Sequence, residues 1–314
     1  MKILITGSKG QLGRTLIKLK PTKAKIFAMN RNNFNMLDIP NCLKVIRSIN
    51  PDWIVNCGAF TNVDLAESNK EVAMEVNYHA PKAFAKEMKD LGGRFLQIST
   101  DYVFDGLRPN MKPYTTNDKK SPLGIYGISK AKAEDFIEDI FLGTNKGIIL
   151  RTSWILAPFG SNFLLKILNL LLKNKEIKVV NDQIGSPTNI YSLAEVCWKI
   201  IELNNLEIIF NENKNGILHW QDNGQTNWYE IALKIRNFGK EIDLINYNTQ
   251  VTPISTFDYP TPAKRPAFSV LDCNSAKRVL DHKGIDWRCG LEKIMKQIHL
   301  DKNNKFYINP NYKI

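Results

Sequence analysis

The chain has 314 residues, 43% hydrophobic and 24% charged, the balance of a globular protein long enough to bury a sizeable core in one large domain or two joined ones. No apolar run approaches the roughly 20 residues that span a bilayer, and the opening run Ile3-Leu4-Ile5 is too short for a signal peptide, so a cytoplasmic protein is expected. The net charge of +12 suits an anionic partner, but the lysines are spread along the chain without a nucleic-acid motif, so neither nucleic acid nor membrane is expected as a partner.

The five cysteines include no C-x-x-C pair and the four histidines no H-x-x-x-H, so neither a disulfide frame nor a metal site is expected.

Residues 2–6 read as a strand ending at Gly7. The turn Gly7-Ser8-Lys9-Gly10-Gln11-Leu12-Gly13 follows and leads into the helical stretch 14–19. Strand, glycine turn and helix in that order are the context of a dinucleotide fingerprint. Gly7 permits the tight turn, Gly10 lets the backbone approach a pyrophosphate, and Gly13 allows close packing of helix on strand. The helix start, with Lys9, Gln11 and Leu12, presents N–H groups to the phosphates.

Residues 24–29 read as the next strand. An acid there would hold a ribose hydroxyl of NAD, but Asn30 and Arg31 stand in its place. Arg31 suits a 2′-phosphate, which tilts the cofactor toward NADP(H), with NAD(H) as the alternative. Asp38 is a candidate for the adenine end.

Residues 40–49 look helical and 53–57 form a buried strand, followed by the small residues Gly58-Ala59-Phe60-Thr61. A helical pattern runs over 68–90, and 95–99 is another strand ending in Thr100-Asp101. The alternation implies an α/β, doubly wound parallel sheet of Rossmann type, with ligands beyond the carboxyl ends of the strands. Gly7, Ala59, Thr100 and Arg151 fall at such ends, in one crevice.

Residues 109–122 read as a polar loop, followed by Tyr126-Gly127-Ile128-Ser129-Lys130. On a helix this spacing puts the tyrosine and the lysine on one face. A nearby ammonium is expected to lower the phenol pKa from about 10, so that the tyrosine exchanges a proton with a carbonyl or alcohol oxygen near neutrality. After Trp154 come a helix near 161–173, a strand near 177–180, a helix near 191–203 and the proline-rich loop 259–266. The expected division is a core, 1–154, carrying the cofactor and catalytic residues, and a smaller C-terminal α/β lobe, 155–314, mainly for substrate, with segments returning to the core.

The glycine turn with Tyr126 and Lys130 resembles the extended short-chain dehydrogenase/reductase superfamily. Residues 56–67 (NCGAFTNVDLAE), 99–104 (STDYVF), 122–130 (PLGIYGISK), 151–154 (RTSW), 181–188 (NDQIGSPT) and 259–266 (YPTPAKRP) resemble, in order, the dTDP-4-dehydrorhamnose reductase family. The resemblance implies reduction of a sugar nucleotide's 4-keto group by NAD(P)H. It makes Tyr126 the proton donor, Lys130 the holder of the nicotinamide ribose and Thr100 a hydrogen-bond donor to the carbonyl oxygen. Asn56, Ala59, Thr61, Asn77 and Ser99 would line the cofactor. Asp101, Tyr102 and Trp154 would meet the sugar, while Ser186, Thr188 and Arg265 would face the thymidine diphosphate.

Some members of this family dimerise through Mg²⁺ held by glutamates. Thr15 and Tyr191 stand in those neighbourhoods here, so a monomer or a metal-independent homodimer is expected. The competing readings are a 4-epimerase or another 4-keto sugar reductase, and a non-catalytic NADP-binding regulatory subunit. A dehydratase is disfavoured because Tyr102 occupies the position of its second acid.

Overall fold

The computed structural model describes residues 1–301 apart from 109, 214, 246 and 247. Pro109 of the expected polar loop and residues 302–314 of the expected second lobe thus lie outside the described residues.

Six parallel strands form the central sheet: Lys2–Thr6 (β1), Lys25–Ala28 (β2), Trp53–Asn56 (β3), Arg94–Thr100 (β4), Gly147–Thr152 (β5) and Ile217–Trp220 (β6). Their spatial order is 2-1-3-4-5-6. The chain runs outward from β1 to β2, then crosses back to β3, so the order reverses between β1 and β3. A crevice opens at such a reversal, because the connections leave in opposite directions.

Both faces of the sheet are covered, as the unbroken apolar runs in the strands require. Ile3, Ile5, Trp53, Val55, Leu96, Ile148 and Leu150 point into one core, packed by Gln11–Lys18 (α1) and Ile190–Glu202. Their neighbours Leu4, Ile54, Phe95 and Ile149 point into the other. There they meet Ile39–Ile49 (α2), Ala80–Asp90 and Ile125–Ile140, the helix carrying Tyr126. The period of two is the strand alternation itself.

The expected continuous helix over 68–90 is broken into pieces. Val63–Ser68 (α3) and Lys70–Met74 (α4) precede a π-helical turn, Glu75–His79, and Ala80–Asp90 (α5) follows. The cause is Pro81. An α-helix would pair the Asn77 carbonyl with the amide of residue 81, and proline has none; the Ala80 amide reaches back to Glu75 instead. The next helix, Ile125–Ile140, is α6.

A third core joins Phe163–Lys173 (α7), Trp228–Glu241 and Trp287–Asp301 to the parallel pair Glu176–Val180 and Gln250–Ile254. Ile190–Glu202 (α8) and β6 lie between these segments in the chain but pack on the central sheet. Among the described residues no helix is long and apolar enough to cross a membrane.

Candidate active site at the carboxyl edge of the sheet

The glycine turn sits at the switch point. A Cβ on Gly7 (φ +62°) would stand 2.8 Å from the Gly58 amide, and one on Gly13 would stand 2.4 Å from the Gly7 carbonyl oxygen. Only glycine lets β1, its turn and the start of α1 approach the β3 loop this closely. The first α-helical bond runs from the Arg14 amide to Gly10 O at 3.1 Å, so the amides of Gln11, Leu12 and Gly13 lie outside the ladder. Leu12 itself points into the core, and the Gln11 side chain ties α1 to Ser161 and Asn162.

Lys9 and Arg31 are exposed at the same end, and Asn30 is half-buried, its Oδ1 accepting from the Asn32 amide at 3.0 Å. Asp38, expected near an adenine, is the N-cap of α2 and accepts from the Asn41 amide at 3.2 Å.

Several expected cofactor residues turn out to position the loops. Asn56 is buried inside the sheet, accepting from Thr6 Oγ1 at 2.6 Å and donating to Gln97 Oε1 at 2.8 Å. Asn77 lies in the π-helical turn. It grips Phe60 through both backbone groups, at 2.7 and 3.0 Å, and donates to Ser129 Oγ at 3.1 Å. The widened turn therefore clamps the loop holding Ala59 and Thr61 to the helix of Tyr126. Ala59 is half-buried and Thr61 is exposed.

Thr100 ends β4 and is buried. Its hydroxyl donates to Asp101 Oδ1 at 3.1 Å, accepts from the Tyr102 amide at 3.2 Å and faces the Tyr126 phenol. Tyr102 meets Tyr126 edge to face, with ring centroids 5.7 Å apart. Lys130 is buried one turn further along α6 and donates to Ile98 O at 2.6 Å.

The expected lowering of the Tyr126 pKa is not what this environment produces. Burial pushes the phenol up to about 12 and outweighs the opposing effect of Thr100. Burial also pulls Lys130 down to about 8, against the pull of Glu134, and lifts Asp101 to about 6. Desolvation wins at all three groups because each charge would lie in a pocket of low polarisability. Ser99, next to Thr100, is buried beside Glu134.

Arg151, expected in the crevice, does not reach it. It lies in the last pleat of β5, one residue before the strand end, and its side chain is only 1% exposed and paired with Glu134. Ser186 and Thr188 also turn inward, with hydroxyls donating to Asp222 O at 2.8 Å and Ser153 O at 2.6 Å. Those hydroxyls fasten the 186–188 segment to the backbone at Ser153 and Asp222. Trp154 takes a left-handed backbone (φ +44°) and stacks on Trp228 at 3.7 Å, leaving the indole half-buried.

Arg265 comes back to the central sheet. Its Nη2 donates to Asp64 Oδ2 of α3 at 2.7 Å, the Ala263 amide donates to Asp64 Oδ1 at 3.2 Å, and the guanidinium faces Tyr102. Two carboxylates missed in the sequence thus build the site. Asp64 holds the 259–266 loop, and Glu67 accepts from the Ile125 amide at 2.8 Å, capping α6. That helix has Gly124 at its N-cap and no acid in its first turn, so its cap comes from a neighbour. Thr15 and Tyr191, in place of the metal-binding glutamates, bond to Gln11 O and Gln297 Oε1.

A parallel sheet of this order, with a glycine turn at the reversal and a Tyr-x-x-x-Lys helix beside the fourth strand, defines a Rossmann-type oxidoreductase of the extended short-chain dehydrogenase/reductase class. A family model described as the RmlD substrate binding domain matches residues 1–300. A dTDP-4-dehydrorhamnose reductase of Aggregatibacter actinomycetemcomitans is 36% identical over 297 residues, 93% of this chain and 98% of that one. A solved dTDP-4-dehydrorhamnose reductase from Clostridium acetobutylicum matches with a TM-score of 0.83 and 32% identity, covering 95% of this chain and 99% of that one. The enzyme from Bacillus anthracis, solved in complex with NADP, matches with the same TM-score and identity over 94% of this chain and 99% of its own. The chain belongs to the dTDP-4-dehydrorhamnose reductase family.

Proposed function

We propose that the protein reduces the 4-keto group of a dTDP-4-dehydro-6-deoxyhexose with NADPH, forming dTDP-L-rhamnose from dTDP-4-dehydro-L-rhamnose for cell-surface polysaccharide synthesis. The observation that carries this reading is the Thr100 hydroxyl facing the Tyr126 phenol, with Lys130 buried one turn away.

The glycine turn fits a dinucleotide. Its inner surface has no room for a Cβ, and the free amides at the start of α1 favour an anion. Lys9 and Arg31 add positive charge at that end, and an arginine suits a 2′-phosphate through its bidentate donors. Bound there, NADPH supplies the hydride.

The chain's own residues do the rest. Thr100 donates to the substrate carbonyl oxygen, where negative charge grows as the carbonyl is reduced. Tyr126 delivers the proton to that oxygen. Its raised pKa keeps the phenol protonated at neutral pH, the state from which donation starts. Lys130 holds the nicotinamide ribose hydroxyls. Asp101, Tyr102 and the open part of Trp154 meet the sugar, and Arg265 meets the diphosphate.

In this reading residues 1–154 form the cofactor half and 155–314 mainly the sugar-nucleotide half. The protein works in the cytoplasm as a monomer or metal-independent homodimer. Incubation with NADPH and dTDP-4-dehydro-6-deoxyhexose tests it. Loss of nicotinamide absorbance and a rhamnose product by NMR are expected. Cofactor binding without oxidation would instead favour the regulatory subunit.

A further inference from the structure

Beneath the Tyr126–Lys130 face runs a buried ionic column. Glu134 stands one turn beyond Lys130 on α6 and is fully buried. Its carboxylate accepts from Arg151 of β5, through Nε at 3.0 and 3.1 Å and through Nη2 at 2.6 Å. The other end of the guanidinium donates to His219 Nε2 of β6 at 3.2 Å, and His219 Nδ1–H donates to Tyr114 O at 3.1 Å. His219 is thereby held in its neutral form, burial and Arg151 pulling it down to about 3. Lys120 reaches Glu134 at 3.6 Å from the preceding loop and is shared with Asp135 and Glu138.

Burying such a pair gains little stability, because desolvation cancels most of the attraction between the charges. The neighbouring cation gives it another use. The Lys130 amine donates to the Ile98 carbonyl of β4, and the titratable groups that act on it are the Cys57 thiol from the loop after β3 and Glu134, one turn further along its own helix. Burial pushes the thiol up to about 12, so it stays neutral. Among the described residues, Glu134 is the carboxylate that acts on Lys130.

We propose that Glu134 is a positioning residue for catalysis, its carboxylate anchored by Arg151 so that it keeps the Lys130 amine cationic and in register with Tyr126. The proposal rests on the role given to Lys130 in the reductase reading.

The test is an NMR titration of protein labelled with [¹³C]lysine, with Lys130→Arg used to assign the Lys130 Cε signal. In Glu134→Gln the Lys130 midpoint should fall by about one pH unit or more, as expected for removal of an adjacent opposite charge. An unchanged midpoint overturns the proposal. This readout needs no substrate, so it is separate from the reductase reading, which fails instead if the wild type does not oxidise NADPH.

Glu134→Gln leaves Arg151 buried without a counter-charge. The second arm is therefore the double variant Glu134→Gln/Arg151→Met, which removes both charges of the buried pair. Recovered folding, with the alkaline limb of kcat still displaced to lower pH, supports the proposal. A wild-type pH profile in the double variant overturns it and leaves Glu134 only a partner for Arg151.

Discussion

Replacing Gly13 by alanine tests whether the glycine turn is shaped by close approach. The added Cβ would stand 2.4 Å from Gly7 O and 2.7 Å from Ser8 Cα, where ordinary contact begins at 3.4 Å, so the turn must yield by about 1 Å. It has little freedom to do so. Gly7 O accepts from the Gly10 amide at 2.8 Å, the Ser8 amide donates to Met29 O at 2.9 Å, and the far side of Gly7 lies against Gly58. Overpacking of this kind costs about 1–3 kcal/mol. With an unfolding entropy of roughly 2 cal/mol/K per residue, the apparent Tm of a chain this long should drop by about 2–5 °C. The shifted amides should also lose one charge-assisted bond to a phosphate, weakening NADPH at least about tenfold by fluorescence titration. Gly143→Ala is the control. Its Cβ meets nothing within 4 Å, though φ is +73°, so it should lower stability by about 1–2 kcal/mol and leave NADPH affinity unchanged. Gly13→Ala with unaltered Tm and Kd would refute the packing argument.

Tyr126→Phe should bind NADPH normally and lose turnover by at least about a hundredfold, the usual size of a general-acid effect; full activity in a stopped-flow assay would remove Tyr126 from its role. Arg31→Ala should weaken NADPH about tenfold and leave NADH unchanged, as loss of one charge-assisted contact predicts; equal effects on both cofactors would detach Arg31 from the 2′-phosphate. Burial lifts Asp222 to about 7, so the folded state holds a proton that the unfolded state releases near the ordinary aspartate value of 3.8. The contribution of this group to stability therefore falls as pH rises from about 4 to 7, and Asp222→Asn should gain on the wild type over that window, by up to a few kcal/mol. A difference in denaturation midpoints that stays flat with pH would contradict this sign.

Much of the framework was legible from local chemistry. Five of the six sheet strands, the glycine turn and the Tyr126–Lys130 face follow from apolar runs, glycine spacing and helical periodicity, each a property of residues close in sequence. The sixth strand, Ile217–Trp220, is four residues long and includes His219, whose burial depends on partners distant in sequence, Arg151 and the Tyr114 carbonyl. The π-helical turn is a mixed case. Pro81 was visible, but only the fold shows the widened turn aiming Asn77 at Phe60.

Tertiary structure decided the electrostatics. Tyr126 and Lys130 are close in sequence, which argued for a lowered phenol pKa, yet burial raises it, and burial depends on everything packed around α6. The same holds for pairings across long stretches of chain: Glu67 with the Ile125 amide, Asp64 with Arg265 and Arg151 with Glu134. Spacing along a helix or strand is set by covalent geometry and can be read from the chain. Desolvation and long-range partners arise only when distant segments exclude water from one another, so they belong to the folded molecule.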